Sequence, residues 1–345
     1  MTGEVREPGR AGAAGVRKTG IPHRTLRTTG VGSLPKPPAL LEARERVRRG
    51  ELEPAELRRL EREATEAWIR FQEEIGIDVP VHGEMERGDM ATYFAELLEG
   101  FAISGPVRSY GNRYYRKPIV TGPVRRTRPL VLESWREAQA LTDRPVKAIL
   151  TGPYTLCDWS FNEYYPDRRS LTLALAEALH EEVLDLQAAG AQFIQIDEPA
   201  ISTRPEEIGL AIEAMGRVTE GLKAHTVSHI CYGHWEEVLP ALLELPVDQL
   251  DLEMANGGYA LLDLLRRYPF EKEIGLGVID VHSHRVESVE EVKRGIYRAL
   301  EFLPPDRVYV DPDCGLKTRT EEEARRKLEV MVEAVREVRQ ELGLA

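Results

Sequence analysis

The chain has 345 residues, 42% of them hydrophobic and 30% charged, and no run approaches the roughly 18 consecutive apolar residues of a membrane span. A formal charge of −12 argues against nucleic acid as the main partner, because phosphate binding calls for a basic face. Three cysteines, Cys157, Cys231 and Cys314, leave no disulfide framework and suit a cytoplasmic protein whose thiols are catalytic, metal-bound or simply buried.

Residues 1–25 carry Gly, Ala and Arg without an apolar period, and the apolar core of a secretory signal is missing. They are expected to form a flexible arm ahead of one domain over 26–345. Past the arm, short β-rich runs alternate with amphipathic helices. The strand candidates are 27–34, 78–84, 146–152, 193–197, 226–231, 249–253, 275–280 and 308–313. Eight such units, each followed by helical sequence, predict an α/β fold of the (β/α)8 TIM-barrel type. Leu57, Leu60, Ala64, Trp68, Phe71 and Ile75 form one apolar stripe after the first strand. Ala324, Leu328, Met331, Val335, Val338 and Leu342 form another in the last helix. Residues 103–129, rich in Gly, Pro, Arg and Tyr, break the rhythm and predict a β-hairpin-like insertion after the second strand. An open doubly wound sheet would call for a Gly-rich phosphate fingerprint after the first strand, and GVGSLP is too short to be one.

In such a barrel the chemistry sits where strands end. Ser33, Glu84, Asp197, His229, Cys231, Glu253, Asp280, His282 and Cys314 all fall there. His229 and Cys231 lie two apart on one strand, so their side chains share a side. With Glu253 and Cys314 they make a donor set that zinc accepts. A single His-x-Cys is weak evidence, since a free cysteine is usually an inert buried hydrophobe; a second cysteine at another strand end strengthens it. Cys157 reads as packing or pocket wall. Glu84 and Asp197 read either as structural ion pairs and caps or as two carboxylates that hold an ammonium group. Backbone amides of Gly30–Ser33 could receive a carboxylate. An ammonium site, a carboxylate site and a soft metal in one mouth describe an amino-acid thiol.

The ordered motifs RTTGVGSLP, HGEMERGDMATYF, SYGNRYYRKP, LTGPYTLCDWSF, FIQIDEPA, HICY, DLE, DVHSHR and VDPDCGLKTR together resemble the catalytic barrel of cobalamin-independent methionine synthases, from about residue 25 onward. The resemblance implies a zinc-dependent transfer of a methyl group to homocysteine, giving methionine. It implies zinc on His229, Cys231, Glu253 and Cys314, and homocysteine on Val31, Gly32, Ser33, Glu84 and Asp197. His282 would be the proton donor, with a hydrogen-bonded residue oriented by Asp280 as the alternative. Arg113 and Trp159 match residues lining the methyl-donor pocket. The chain departs from the pattern on the donor side. It has no room for the family's additional N-terminal barrel, Tyr114 stands where the family has a cysteine, and Ser202 and Thr203 replace an Arg-Glu pair. The donor expected from these departures is a methylated corrinoid or a protein carrying one. The alternatives are methyltetrahydrofolate, another thiol substrate such as coenzyme M, and a non-catalytic zinc protein.

Overall fold

The computed structural model describes residues 25–108, 114–233 and 235–344. The arm expected over 1–25, except Thr25, and Arg113 lie outside them. In chain order the elements are β1 (Arg27–Thr28), α1 (Pro38–Arg48), α2 (Pro54–Ile75), α3 (Thr92–Leu97), β2 (Glu99–Arg108), β3 (Tyr114–Arg125), α4 (Leu132–Gln139) and β4 (Ala148–Thr151). They continue with α5 (Pro153–Asp158), β5 (Phe161–Asn162), α6 (Arg168–Ala188), β6 (Phe193–Asp197), α7 (Ile208–Thr219), β7 (His225–Ile230) and α8 (Trp235–Leu242). The last are β8 (Gln249–Leu252), α9 (Ala260–Leu265), β9 (Glu273–Ile279), α10 (Val289–Leu300), β10 (Val308–Pro312) and α11 (Glu321–Glu341).

Seven strands form one parallel sheet in the order β1-β10-β9-β8-β7-β6-β4. Strand β6 is buried along its whole length, with Ile194 and Ile196 on one side and Phe193, Gln195 and Asp197 on the other. Between the two ends of this sheet runs the segment 78–84, expected to be a full strand. It is reduced to isolated parallel bridges, Thr29 with Val79 and Val81 with Lys147. Pro80 has no N–H to donate, although its carbonyl accepts from Lys147 N at 2.9 Å. Gly83 and Glu84 then turn the chain out with φ of 87° and 59°.

The helices wrap the sheet. Ala64, Trp68 and Phe71 of α2 are buried, with Leu57, Leu60 and Ile75 packed partly against the core. Ala324, Leu328, Met331, Val335 and Val338 of α11 are buried, whereas Leu342 sits past the helix end and is exposed. Helix α11 opens with a capping box, in which Thr320 Oγ1 accepts from Glu323 N at 3.1 Å and Glu323 returns a bond to Thr320 N. Thr320→Ala is expected to cost about 1 kcal/mol and to lower the melting temperature by about 2 °C, read by thermal denaturation.

Strands β2 and β3 pair antiparallel over 99–125, starting earlier than the predicted insertion, and β5 joins β3 in parallel. Their connection, 109–113, is outside the described residues. Buried Glu182 of α6 anchors the base of this unit, accepting from Arg126 Nε at 2.6 Å and from the amides of Leu130, Val131 and Leu132. Among the described residues no helix is long and apolar enough to cross a membrane.

Candidate functional site

The chain leaves β7 at Cys231 and passes the end of β10 at Cys314, and the curl of the sheet brings the two thiols together. His229, Cys231 and Cys314 each offer a ligand atom, and the three atoms lie within 4.8 Å of one another. His229 and Cys231 are buried, and Cys314 is partly exposed. Cys157 is buried in α5, outside this group, with its Sγ facing the Arg168 carbonyl at 3.7 Å. It is packing.

His229 is oriented from behind. Its Nδ1 lies 3.2 Å from Asp251 Oδ1, one register position across on β8. Its Nε2 is buried and has no hydrogen-bond partner among the described residues. Burial disfavours the imidazolium, yet Asp251 and the two thiols raise His229 well above its ordinary value. The hydrogen bond with Cys231 lowers the Cys314 thiol well below its ordinary value, against burial and with help from His229. The same bond, together with burial, pushes the Cys231 thiol up. Two thiols close together beside an orphaned imidazole nitrogen form a donor set that fits a soft divalent ion. Glu253 is not in the cluster of three. Its carboxylate accepts from Asn256 Nδ2 at 2.8 Å and from the Tyr232 amide at 3.3 Å.

The second cluster adjoins the first. Ser33 O accepts from Leu316 N at 2.7 Å, which ties the end of β1 to the loop after Cys314. Val31, Gly32, Ser33, Cys314 and Gly315 line one small cavity. A Cβ on Gly32 would stand 3.0 Å from Glu84 Oε1, so this position has little room for a side chain. Gln195 Nε2 lies 2.7 Å from both Val31 O and Asp197 Oδ1, and so fixes Asp197 against the β1 end. Burial pushes the Asp197 carboxyl up to about 7; nearby His229 opposes this and Glu84 adds to it. A buried acid with a second carboxylate nearby is what an incoming ammonium group would neutralise. Glu84 is less free than its sequence context suggested, because buried Arg87 donates to its Oε1 at 3.0 Å. Arg87 is itself pinned by Ile149 O at 2.7 Å.

On the remaining side, exposed His282 meets Tyr232, whose hydroxyl lies 2.9 Å from its Nε2. Asp280 holds His282 through the backbone, its Oδ1 accepting from the His282 amide at 2.8 Å, while the ring itself meets Tyr232. A carboxylate two residues upstream reaches that amide in a tight turn more readily than the ring. Trp159, at the end of α5, packs partly against the core. Ser202 donates to the Cys231 carbonyl at 3.0 Å and braces the loop after β7. A separate groove of about 730 Å³ lies between α2 and α4, and none of the candidate residues lines it.

Sequence reasoning missed Arg87, Gln195, Asp251 and Tyr232. Gln195 and Asp251 had a readable signal: each precedes a singled-out acid by two residues and so shares its side of the strand.

Residues 26–337 match the family model described as cobalamin-independent synthase, catalytic domain. The chain is 40% identical over 319 residues to a methionine synthase of Saccharolobus solfataricus, covering 92% of this chain and 96% of that one. It is 41% identical over 318 residues to a methionine synthase of Pyrococcus furiosus, covering 92% and 94%. The structure of a B12-independent methionine synthase from a Shewanella species, in complex with selenomethionine, superposes with a TM-score of 0.82 at 30% identity, over 93% of this chain and all of that one. A Methanosarcina mazei methyltransferase shares the fold, with a TM-score of 0.62 at 17% identity over 91% and 94% of the two chains. The chain belongs to the cobalamin-independent methionine synthase family, as a form of its catalytic domain.

Proposed function

We propose that His229, Cys231 and Cys314, joined by Glu253, hold one zinc ion, and that homocysteine bound beside it is methylated on sulfur to give methionine. The observation that carries this reading is the convergence of three ligand atoms within 4.8 Å around an imidazole whose other nitrogen is held by Asp251. Methyl transfer of the methionine-synthase type follows from the family. We also read the sheet as a closed eight-unit barrel, a reading supported by the bridges from segment 79–81 to both β1 and the start of β4.

When bound, zinc favours the thiolate form of a substrate thiol at neutral pH. The protein's own residues do the rest. Asp197 and Glu84 receive the ammonium group of homocysteine, and Gln195 and Arg87 hold those acids in place. Amides of Val31, Gly32 and Ser33 receive the carboxylate. This charge pattern disfavours coenzyme M, whose sulfonate would meet two carboxylates. The arrangement also turns a bimolecular alkylation into a positioned one, which can contribute about 7–11 kcal/mol in favourable cases.

The methyl donor is the finer point. The corrinoid expected from the sequence draws no support from relatives described as cobalamin- or B12-independent. Methyltetrahydrofolate is the donor their description favours, and Trp159, partly packed against the core at the end of α5, would stand on its side of the site. The substrate sulfur attacks the methyl carbon and the carbon–nitrogen bond breaks. The folate nitrogen keeps the electron pair and takes a proton from His282. His282→Gln is therefore expected to reduce turnover with methyltetrahydrofolate by about a hundredfold while zinc content stays unchanged. Donor choice is read from methionine formed by zinc-loaded protein with homocysteine, anaerobically, at matched donor concentrations. Turnover with methyltetrahydrofolate and no added corrinoid is the expected result; turnover only with a methylated corrinoid would reverse the donor assignment.

A further inference from the structure

The segment that follows Glu84 carries a buried charge cluster that the chemistry above uses only at its near end. Arg87 is 3% exposed, and its three guanidinium nitrogens go to three different acceptors. Nη1 donates to Glu84 Oε1 at 3.0 Å, Nη2 to the Ile149 carbonyl at 2.7 Å, and Nε to Glu86 Oε1 at 3.2 Å. The same Glu86 oxygen lies 3.1 Å from Nε2 of buried His82. The rings of Tyr93 and Phe94 lie against the guanidinium, with its carbon 5.4 and 5.5 Å from their centroids. Glu86 lines the groove between α2 and α4 rather than the cavity of Val31, Gly32 and Ser33.

An arginine beside a carboxylate favours the bidentate pair, in which two parallel N–H groups take both oxygens. Such a pair between Arg87 and Glu84 would leave Glu84 nothing for an ammonium group. The hydrogen bond formed here is single, to Oε1, and the other nitrogens of Arg87 are engaged elsewhere. Of the two competing acceptors, Glu86 is the charged one, and a carboxylate competes with Glu84 better than a carbonyl does. The turn itself does not depend on the Glu86 side chain. Arg44 donates to the carbonyls of Met85 at 2.5 Å and Arg87 at 3.2 Å, and the Arg87 amide donates to Glu84 O at 3.0 Å.

We propose that Glu86, held by His82, is a positioning residue for amino-group recognition: it competes with Glu84 for Arg87, so that Arg87 fixes Glu84 through one oxygen and the other is left to receive the ammonium group of homocysteine. The inference rests on the reading of Glu84 and Asp197 given above, and extends it to a residue that does not touch the substrate.

The test compares homocysteine with 4-mercaptobutyrate, its deaminated counterpart, on the zinc-loaded full chain. KM and kcat are measured for each thiol, and the melting temperature for each variant. Glu86→Ala should raise KM for homocysteine by about tenfold, the lower end of what one charge-assisted hydrogen bond is worth, and change KM for 4-mercaptobutyrate by less than about twofold. Glu86→Gln keeps an oxygen for Arg87 Nε without the charge, and its KM for homocysteine should fall between those of the parent and Glu86→Ala. Glu86→Ala/Arg87→Met removes the cation that would otherwise capture Glu84, and should regain most of the preference for homocysteine. Equal losses on both thiols, an unchanged KM in Glu86→Ala, or no recovery in the double variant would show that Glu86 serves only the fold, and would overturn the proposal. Should Glu86→Ala fail to fold, Glu86→Gln and the double variant carry the same comparison. Glu84→Gln separates the two levels. If it loses the preference for homocysteine while Glu86→Ala keeps it, only this inference fails. If Glu84→Gln keeps the preference, the reading of Glu84 fails, and this inference with it.

Discussion

Cys314→Ser is expected to leave a folded chain that neither retains zinc nor forms methionine. The fold should persist because the buried core of the sheet and its helices does not pass through the metal cluster; Cys314 is partly exposed and lies beyond the end of β10. Zinc should be lost because serine replaces a thiol whose surroundings favour the thiolate, and a neutral hydroxyl is a poor ligand for this ion. Activity should fall on the order of a thousandfold, which corresponds to the several kcal/mol that a catalytic metal supplies. Metal analysis after gel filtration, a methionine assay and a thermal melt read the three quantities separately. A variant with full zinc and full activity would remove the metal assignment.

Asp197→Asn should separate substrates by their amino group. Asparagine keeps an oxygen for Gln195 Nε2, so the tie between Asp197 and Val31 survives. It removes the charge that meets the ammonium group of homocysteine. Loss of one charge-assisted hydrogen bond costs about 1.5–3 kcal/mol, or roughly 10- to 150-fold in KM. A deaminated thiol such as 4-mercaptobutyrate, which lacks the ammonium group, should be used about as well by the variant as by the parent. The free protein should be no less stable, since burial already pushes the Asp197 carboxyl up to about 7 and the amide removes that desolvation penalty. Equal losses for both thiols would show that Asp197 is structural.

Much of this site is legible in the chain because strands alternate. His229 and Cys231 are two apart on β7, and that spacing alone places both on one side. The strand-end positions of Glu84, Asp197 and Cys314 follow in the same way from where the β-rich runs stop. Which strand ends become neighbours is set by the curl and register of the sheet, and no local pattern encodes that. Cys314 meets Cys231 across intervening strands. Glu84 looked unpaired because its partner follows a backbone turn at φ 59°, which swings Arg87 back onto it. The second strand shrank to two bridges because Pro80 removes a donor where the ladder would need one. His282 took Tyr232 rather than Asp280 as its ring partner because Tyr232, at φ 53°, leaves β7 in a left-handed turn that no hydrophobic periodicity predicts.

The most direct measurement is a titration of homocysteine into the cobalt-substituted protein, followed by visible absorption. If homocysteine sulfur reaches the metal held by His229, Cys231 and Cys314, the ligand-field and sulfur-to-cobalt bands should change and saturate at one equivalent per chain. Homoserine, with oxygen in place of sulfur, should leave the sulfur-to-cobalt bands as they were. A spectrum that does not respond to saturating homocysteine would mean that the cluster is a closed structural site, and would contradict the account at its centre.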